Sequence, residues 1–205
     1  MNAFSLKIIA LISMLIDHIG YFLFPQMIIL RIIGRIAFVI FAYFTANAYV
    51  YTKDKLKHGL TLLIYGILID LVMLITGNYL FSNIFITLAL GYFLIMAVDK
   101  RNILLGIASM IPLFILRIDY QFYGVLLILA SYLLKDKRVL LIAVNIVLIY
   151  AFHFIDNLSL LQEYSTMGMI FLLFYNYQRG PKLKLFFYLF YPVHILILIL
   201  IQHIL

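Results

Sequence analysis

The sequence has no cysteine and no tryptophan, and only 8 of its 205 residues are acidic. Without cysteine there is neither a disulfide framework nor a thiolate metal site. Without tryptophan, the role of interfacial aromatic falls to the 16 tyrosines. Charged residues make up 11% of the chain, against about a quarter in soluble domains, and this excludes an ordinary water-soluble fold. What fills the chain is apolar, at 67%, the composition of a polytopic membrane protein. The net charge of +7 does not point to nucleic acid, because the basic residues sit in short loops and form no continuous stripe. No HExxH, GxSxG, Walker or dinucleotide motif is present, and no metal site is expected. Internal repeats and long linkers are absent as well, so the chain reads as one transmembrane domain over 1–205.

A spanning helix needs about 20 apolar residues. Charge, glycine and proline divide the chain into about nine such segments, near 6–24, 27–50, 59–76, 79–98, 102–116, 120–134, 138–154, 158–175 and 185–204. The expected fold is an all-α, polytopic membrane helical bundle. The pair 102–116 and 120–134 is short, and Pro112 interrupts the first of them, so these two are expected to be tilted, broken or re-entrant.

Eleven of the fifteen basic residues fall in the even-numbered connections: Lys53, Lys55, Lys57; Lys100, Arg101; Lys135, Lys137, Arg138; Arg179, Lys182, Lys184. The positive-inside rule therefore predicts a cytoplasmic N-terminus and an external C-terminus. The apolar run after Lys7 has no small-residue cleavage site and is read as a retained first helix.

Polar groups inside the spans carry the functional information, because a charge at mid-bilayer costs about 2.5–3.5 kcal/mol. Asp17 and His18 in "SMLIDHIGYFLFP" lie towards the outer half of the first helix and point about 100° apart, serving two directions. Interhelical hydrogen bonding is the plain role for such a pair. Lys7 precedes His18 by eleven residues, three turns plus about 20°, which places both on one face about 16 Å apart. Arg31 and Arg35 in "LRIIGRIAF" share a face in the outer half of the second helix, and Asp17 or Asp119 would satisfy Arg35. Gly34 lets another helix approach closely. Asn83, Thr87 and Gly91 share a face, and Asp70 is expected to be a buried partner of a cation. Pro192 withdraws the helical partner of the Tyr188 carbonyl, beside Tyr191 and His194 on one face of the ninth segment.

Five stretches, "LKIIALISMLIDHIGYFLFP", "LRIIGRIAFVIFAYFTANAYVYTKD", "NIFITLALG", "DYQFYGVLLILASYLL" and "YNYQRGPKLKLFFYLFYPVHILIL", occur in an order that resembles the TraX family. These are integral-membrane proteins named for N-terminal acetylation of conjugative pilin. The family is in turn similar to a wider group of membrane acyltransferases, in which a basic residue precedes a first-helix histidine by eleven positions, as Lys7 precedes His18. The resemblance implies acetyl-CoA as donor and location in the bacterial cytoplasmic membrane among its lipids. The implied acceptor, on the outer side, is an exported peptide, a pilin-like N-terminus or a glycan.

Under that resemblance His18 is the expected base, and Asp17 orients a partner or holds the acceptor's amine. Arg35, Asn83 or the Tyr191–His194 face would steady the oxyanion, with Arg31 alongside, and Asp119 would attract an ammonium acceptor. Lys7, Lys53, Arg179 and Lys182 are candidates for the coenzyme's phosphates, although solvated rims are the plain reading of loop lysines. Two other classes fit the residues alone: a small transporter or channel with a protonatable histidine path, and a non-catalytic assembly factor for a surface appendage. A homodimer would enlarge the internal cavity.

Overall fold

A computed structural model of the chain describes residues 1–77, 83–116, 118–181 and 184–204, the side chains of residues 184, 185 and 188 excepted. The described residues form helices α1 (Ala3–Phe22), α2 (Ile28–Tyr51), α3 (Lys55–Ile75), α4 (Ile84–Asp99), α5 (Ile103–Met110), α6 (Pro112–Ile115), α7 (Gln121–Leu133), α8 (Arg138–Asp156), α9 (Ser165–Leu173) and α10 (Lys184–Ile204). A 3₁₀ turn over Leu160–Tyr164 leads into α9. By length and composition α1, α2, α3 and α8 can each cross a membrane, and shorter apolar helices occupy Ile84–Asp99, Ile103–Ile115, Gln121–Leu133 and Leu189–Ile204. The protein is a helical membrane bundle.

Side-chain caps fix several helix starts. Asn2 accepts the Ser5 amide, Asp54 the Lys57 amide, Asn83 the Phe85 amide and Asn102 the Leu105 amide. Such caps satisfy amides that the first turn leaves without helical partners. They set the starts of α1 and α3 several residues before the expected 6 and 59, since hydropathy registers apolar runs and not the polar first turn. The break foreseen at Pro112 separates α5 from α6. The segment expected over 158–175 opens in the tighter 3₁₀ form and is helical only to Leu173.

The chain divides into two compact units. The first comprises Met1–Phe41 and Ser159–Leu205, the second Ala42–Leu158, so α2 contributes to each. In the second unit, α4 packs against α3, α5 and α7, and α7 against α8. Accordingly α4 is buried around almost its whole circumference. Gly91 makes room for Ile128, and the Thr87 hydroxyl donates to the Asp119 carbonyl. The buried Tyr123 hydroxyl donates to Asn145 Oδ1 at 2.8 Å, joining α7 to α8.

In the first unit α1 lies against α2 through small residues. A methyl on Gly20 would come within 2.8 Å of Leu30 Cβ, and the Ser13 hydroxyl donates to the Ile33 carbonyl at 2.6 Å. Close approach of this kind is how helices associate where lipid removes the hydrophobic drive. α1 also packs on α10, and Gly168 of α9 sits against Ile36 and Val39 of α2. The Ala3 amide donates to the Gln178 carbonyl at 2.8 Å and the Asn176 amide to the Met1 carbonyl at 2.9 Å. These bonds hold the start of α1 to the loop before α10.

Candidate functional site

Two polar systems lie in the first unit, and adjacent residues of α1 start them. The first is an ion cluster. Asp17 Oδ2 accepts from Arg31 Nη1 at 2.8 Å and Asp17 Oδ1 from Arg35 Nη2 at 2.7 Å. Arg31 Nη1 also reaches the Asp17 carbonyl at 3.1 Å, and Arg35 Nε donates to the Arg31 carbonyl at 3.1 Å. The helical i, i+4 spacing puts both guanidiniums on one face, with Gly34 between them. A methyl at Gly34 would overlap the Asp17 carboxylate, so the cluster requires that glycine. Tyr21 covers the Arg31 guanidinium at 5.2 Å from its ring centre.

The second system is a histidine pair. His18 Nδ1 lies 2.6 Å from His194 Nε2, and His194 Nδ1 lies 2.6 Å from the Phe190 carbonyl oxygen. The rings are 12° from parallel with centroids 4.9 Å apart. So short a nitrogen contact at that centroid separation makes them nearly coplanar and edge to edge, not face to face. His18 is 8% exposed and His194 5%. Phe22 and Tyr191 meet His18 edge-on, at 6.4 and 5.7 Å, and Phe190 stacks on His194 at 4.8 Å.

Hydrogen-bond logic assigns the protons. A carbonyl oxygen only accepts, so His194 Nδ1 carries hydrogen. In neutral His194 the other nitrogen then accepts, so His18 Nδ1 donates to it. The lone pair of neutral His18 is therefore on Nε2, where a proton would be taken. At the other end of α1, the Lys7 ammonium sits 5.9 Å from the Phe187 ring centre on α10. Lys7 and His18 thus both face α10, as their spacing requires.

A family model described as "TraX protein" matches residues 3–202. The chain belongs to the TraX family. An uncharacterized protein of Rickettsia prowazekii (strain Madrid E) is 39% identical over 87 residues, 42% of this chain and 33% of that relative. The match therefore spans about a third of the relative's length. No solved structure matches.

Within this TraX-family chain, the first unit brings together Asp17, His18, Arg31, Arg35, Tyr191 and His194. Arg179 is exposed in the loop tied to the start of α1. Asn83, Lys53 and Asp119 belong to the second unit. There Asn83 ties α4 to α3: its oxygen caps α4, while its amide donates to the Gly66 carbonyl at 3.0 Å and to Asp70 Oδ1 at 2.5 Å. Asp70 corrects the expectation of a buried partner for a cation. It is exposed on α3, and among the described residues it takes the Asn83 amide. Lys182 lies outside the described residues. Among the described residues, no group of three or more histidines and carboxylates is placed to hold a metal ion.

Sequence reasoning missed one cluster in the second unit. The Asp99 carboxylate accepts from Tyr49 at 2.6 Å, Lys55 at 3.2 Å and Tyr132 at 3.3 Å, and Lys55 also sits 4.0 Å from the Tyr49 ring centre. These residues come from four helices, and no local pattern links them.

Proposed function

We propose that this membrane protein transfers the acetyl group of cytosolic acetyl-CoA to an amine or hydroxyl of an acceptor at the outer side of the bacterial cytoplasmic membrane. The observation that carries the reading is the buried, directionally hydrogen-bonded His18, which has a proton-accepting nitrogen on the same helix as Lys7. Membership of a family named for pilin acetylation supports it, with an exported peptide, a pilin-like N-terminus or a glycan as the acceptor class.

The chemistry asks for a base, alignment and stabilisation of an oxyanion. The acceptor nitrogen or oxygen attacks the thioester carbonyl carbon while its proton passes to His18 Nε2. A new C–N or C–O bond forms, and the carbonyl electrons move to oxygen. As the intermediate collapses the C–S bond breaks, and the proton on Nε2 returns to the leaving sulfur as coenzyme A thiol. Arg31 and Arg35 carry one positive charge more than Asp17 neutralises, a field suited to the negative oxygen. Lys7 and Arg179 suit the donor's phosphates at the cytoplasmic end.

The test is mass spectrometry of exported peptides and glycans from cells carrying the wild-type gene, no gene, or His18→Ala. Acetyl groups lost in both the deletion and the variant, with the variant accumulating normally in the membrane, support the reading. Full acetylation in His18→Ala cells overturns it.

A further inference from the structure

We infer that His194 is the positioning residue of the site: with His18 it forms a two-ring proton relay that fixes which nitrogen of His18 acts. The inference rests on the acetyl-transfer reading and extends it to a residue on α10.

At 2.6 Å the His18–His194 contact admits one hydrogen, with one ring as donor and the other as acceptor. Protonating both rings fully would set two N–H groups against each other, so the pair stores one proton beyond its neutral state. The Phe190 carbonyl holds the outer end of the pair. An incoming proton therefore enters at His18 Nε2. The positive charge then strengthens the Nδ1–H bond to His194, or shifts to His194 when the shared hydrogen crosses. In either position the charge stays in a hydrogen bond, and the near coplanarity of the rings aligns lone pair and N–H.

In soluble hydrolases a carboxylate orients the catalytic imidazole in this manner. Here the neighbouring carboxylate is engaged elsewhere: both oxygens of Asp17 are bonded to guanidiniums. A neutral imidazole does the same orienting without a second buried charge, which is the less costly solution inside a membrane. Tyr191 stands edge-on to both rings, at 5.7 Å from His18 and 5.6 Å from His194.

The experiment is nitrogen-15 NMR of histidine-labelled protein in lipid bilayers, with His18 assigned by its loss in His18→Asn. Acetyl transfer from acetyl-CoA to a panel of amine and sugar acceptors is measured on the same samples. In the wild type, hydrogen is expected on His18 Nδ1 with Nε2 bare. His194→Phe is expected to abolish that preference and lower kcat roughly 100-fold with KM for acetyl-CoA unchanged. His194→Gln, whose amide oxygen accepts, is expected to restore the preference and about a tenth of the rate. Hydrogen on His18 Nε2 in the wild type, or a tautomer indifferent to His194→Phe, overturns the relay. The expected tautomers in a wild-type protein that acetylates no acceptor would instead overturn the transferase reading, and the relay's catalytic role with it.

Discussion

Gly34→Ala tests the ion cluster most directly, because one methyl group is the whole perturbation. The new carbon would overlap the Asp17 carboxylate and its Cβ, which two guanidiniums hold in place at 2.7 and 2.8 Å. Overpacking alone costs about 1–3 kcal/mol. Driving the carboxylate off its partners leaves buried charge uncompensated, at about 3–5 kcal/mol. Alanine returns about 1 kcal/mol of helix propensity. The net loss is roughly 3–7 kcal/mol, which for a chain of this length lowers the melting temperature by about 6–28 °C. The assay is thermal unfolding of the purified protein in detergent, followed by the fraction that stays monodisperse. Gly106→Ala is the control: its methyl would meet only Ala97 Cβ, at an ordinary 3.7 Å. That variant should be unchanged or slightly more stable, since only the helix term remains. A Gly34→Ala protein that melts with the wild type, or a control that falls as far, would refute the reasoning.

Asp17→Asn keeps the shape but removes the charge that neutralises Arg31 and Arg35, and a loss of about 3–5 kcal/mol is expected in the same melting assay. Tyr123→Phe removes a buried hydrogen bond to Asn145 and should cost about 1–2 kcal/mol, a smaller shift by the same measurement. Lys55→Met should change stability by less than about 1 kcal/mol, because both partners of the Lys55–Asp99 pair are about a third exposed. The lack of cysteine allows a topology test without background: Arg179→Cys should react with an impermeant maleimide only from the cytoplasmic side, and Asp156→Cys only from outside.

The apolar runs made the helices legible, because membrane spanning imposes a length that short soluble helices do not share. The capping residues Asn2 and Asp54 are equally visible in the sequence, yet hydropathy passes over them, so α1 and α3 begin before the positions that apolar runs predict; the expected start of the fourth segment, at 79, lies outside the described residues. The polar residues of the site were legible as individuals. Their partners were not: helical periodicity says which way Arg35 points, but whether Asp17 or Asp119 meets it depends on how helices assemble. The same gap separates recognising His18 and His194 from knowing that they touch across 176 positions of sequence. The Asp99 cluster lay beyond local pattern altogether, since Tyr49, Lys55 and Tyr132 reach it from three other helices.

That sequence separation orders biogenesis. The Asp17–Arg31–Arg35 cluster closes over 14 to 18 residues and is available as soon as the first hairpin enters the bilayer. The imidazole contact must wait until translation reaches α10, with the whole of 42–158 inserted in between. A chain ended early would carry the first hairpin with its ion cluster but lack the His18–His194 contact.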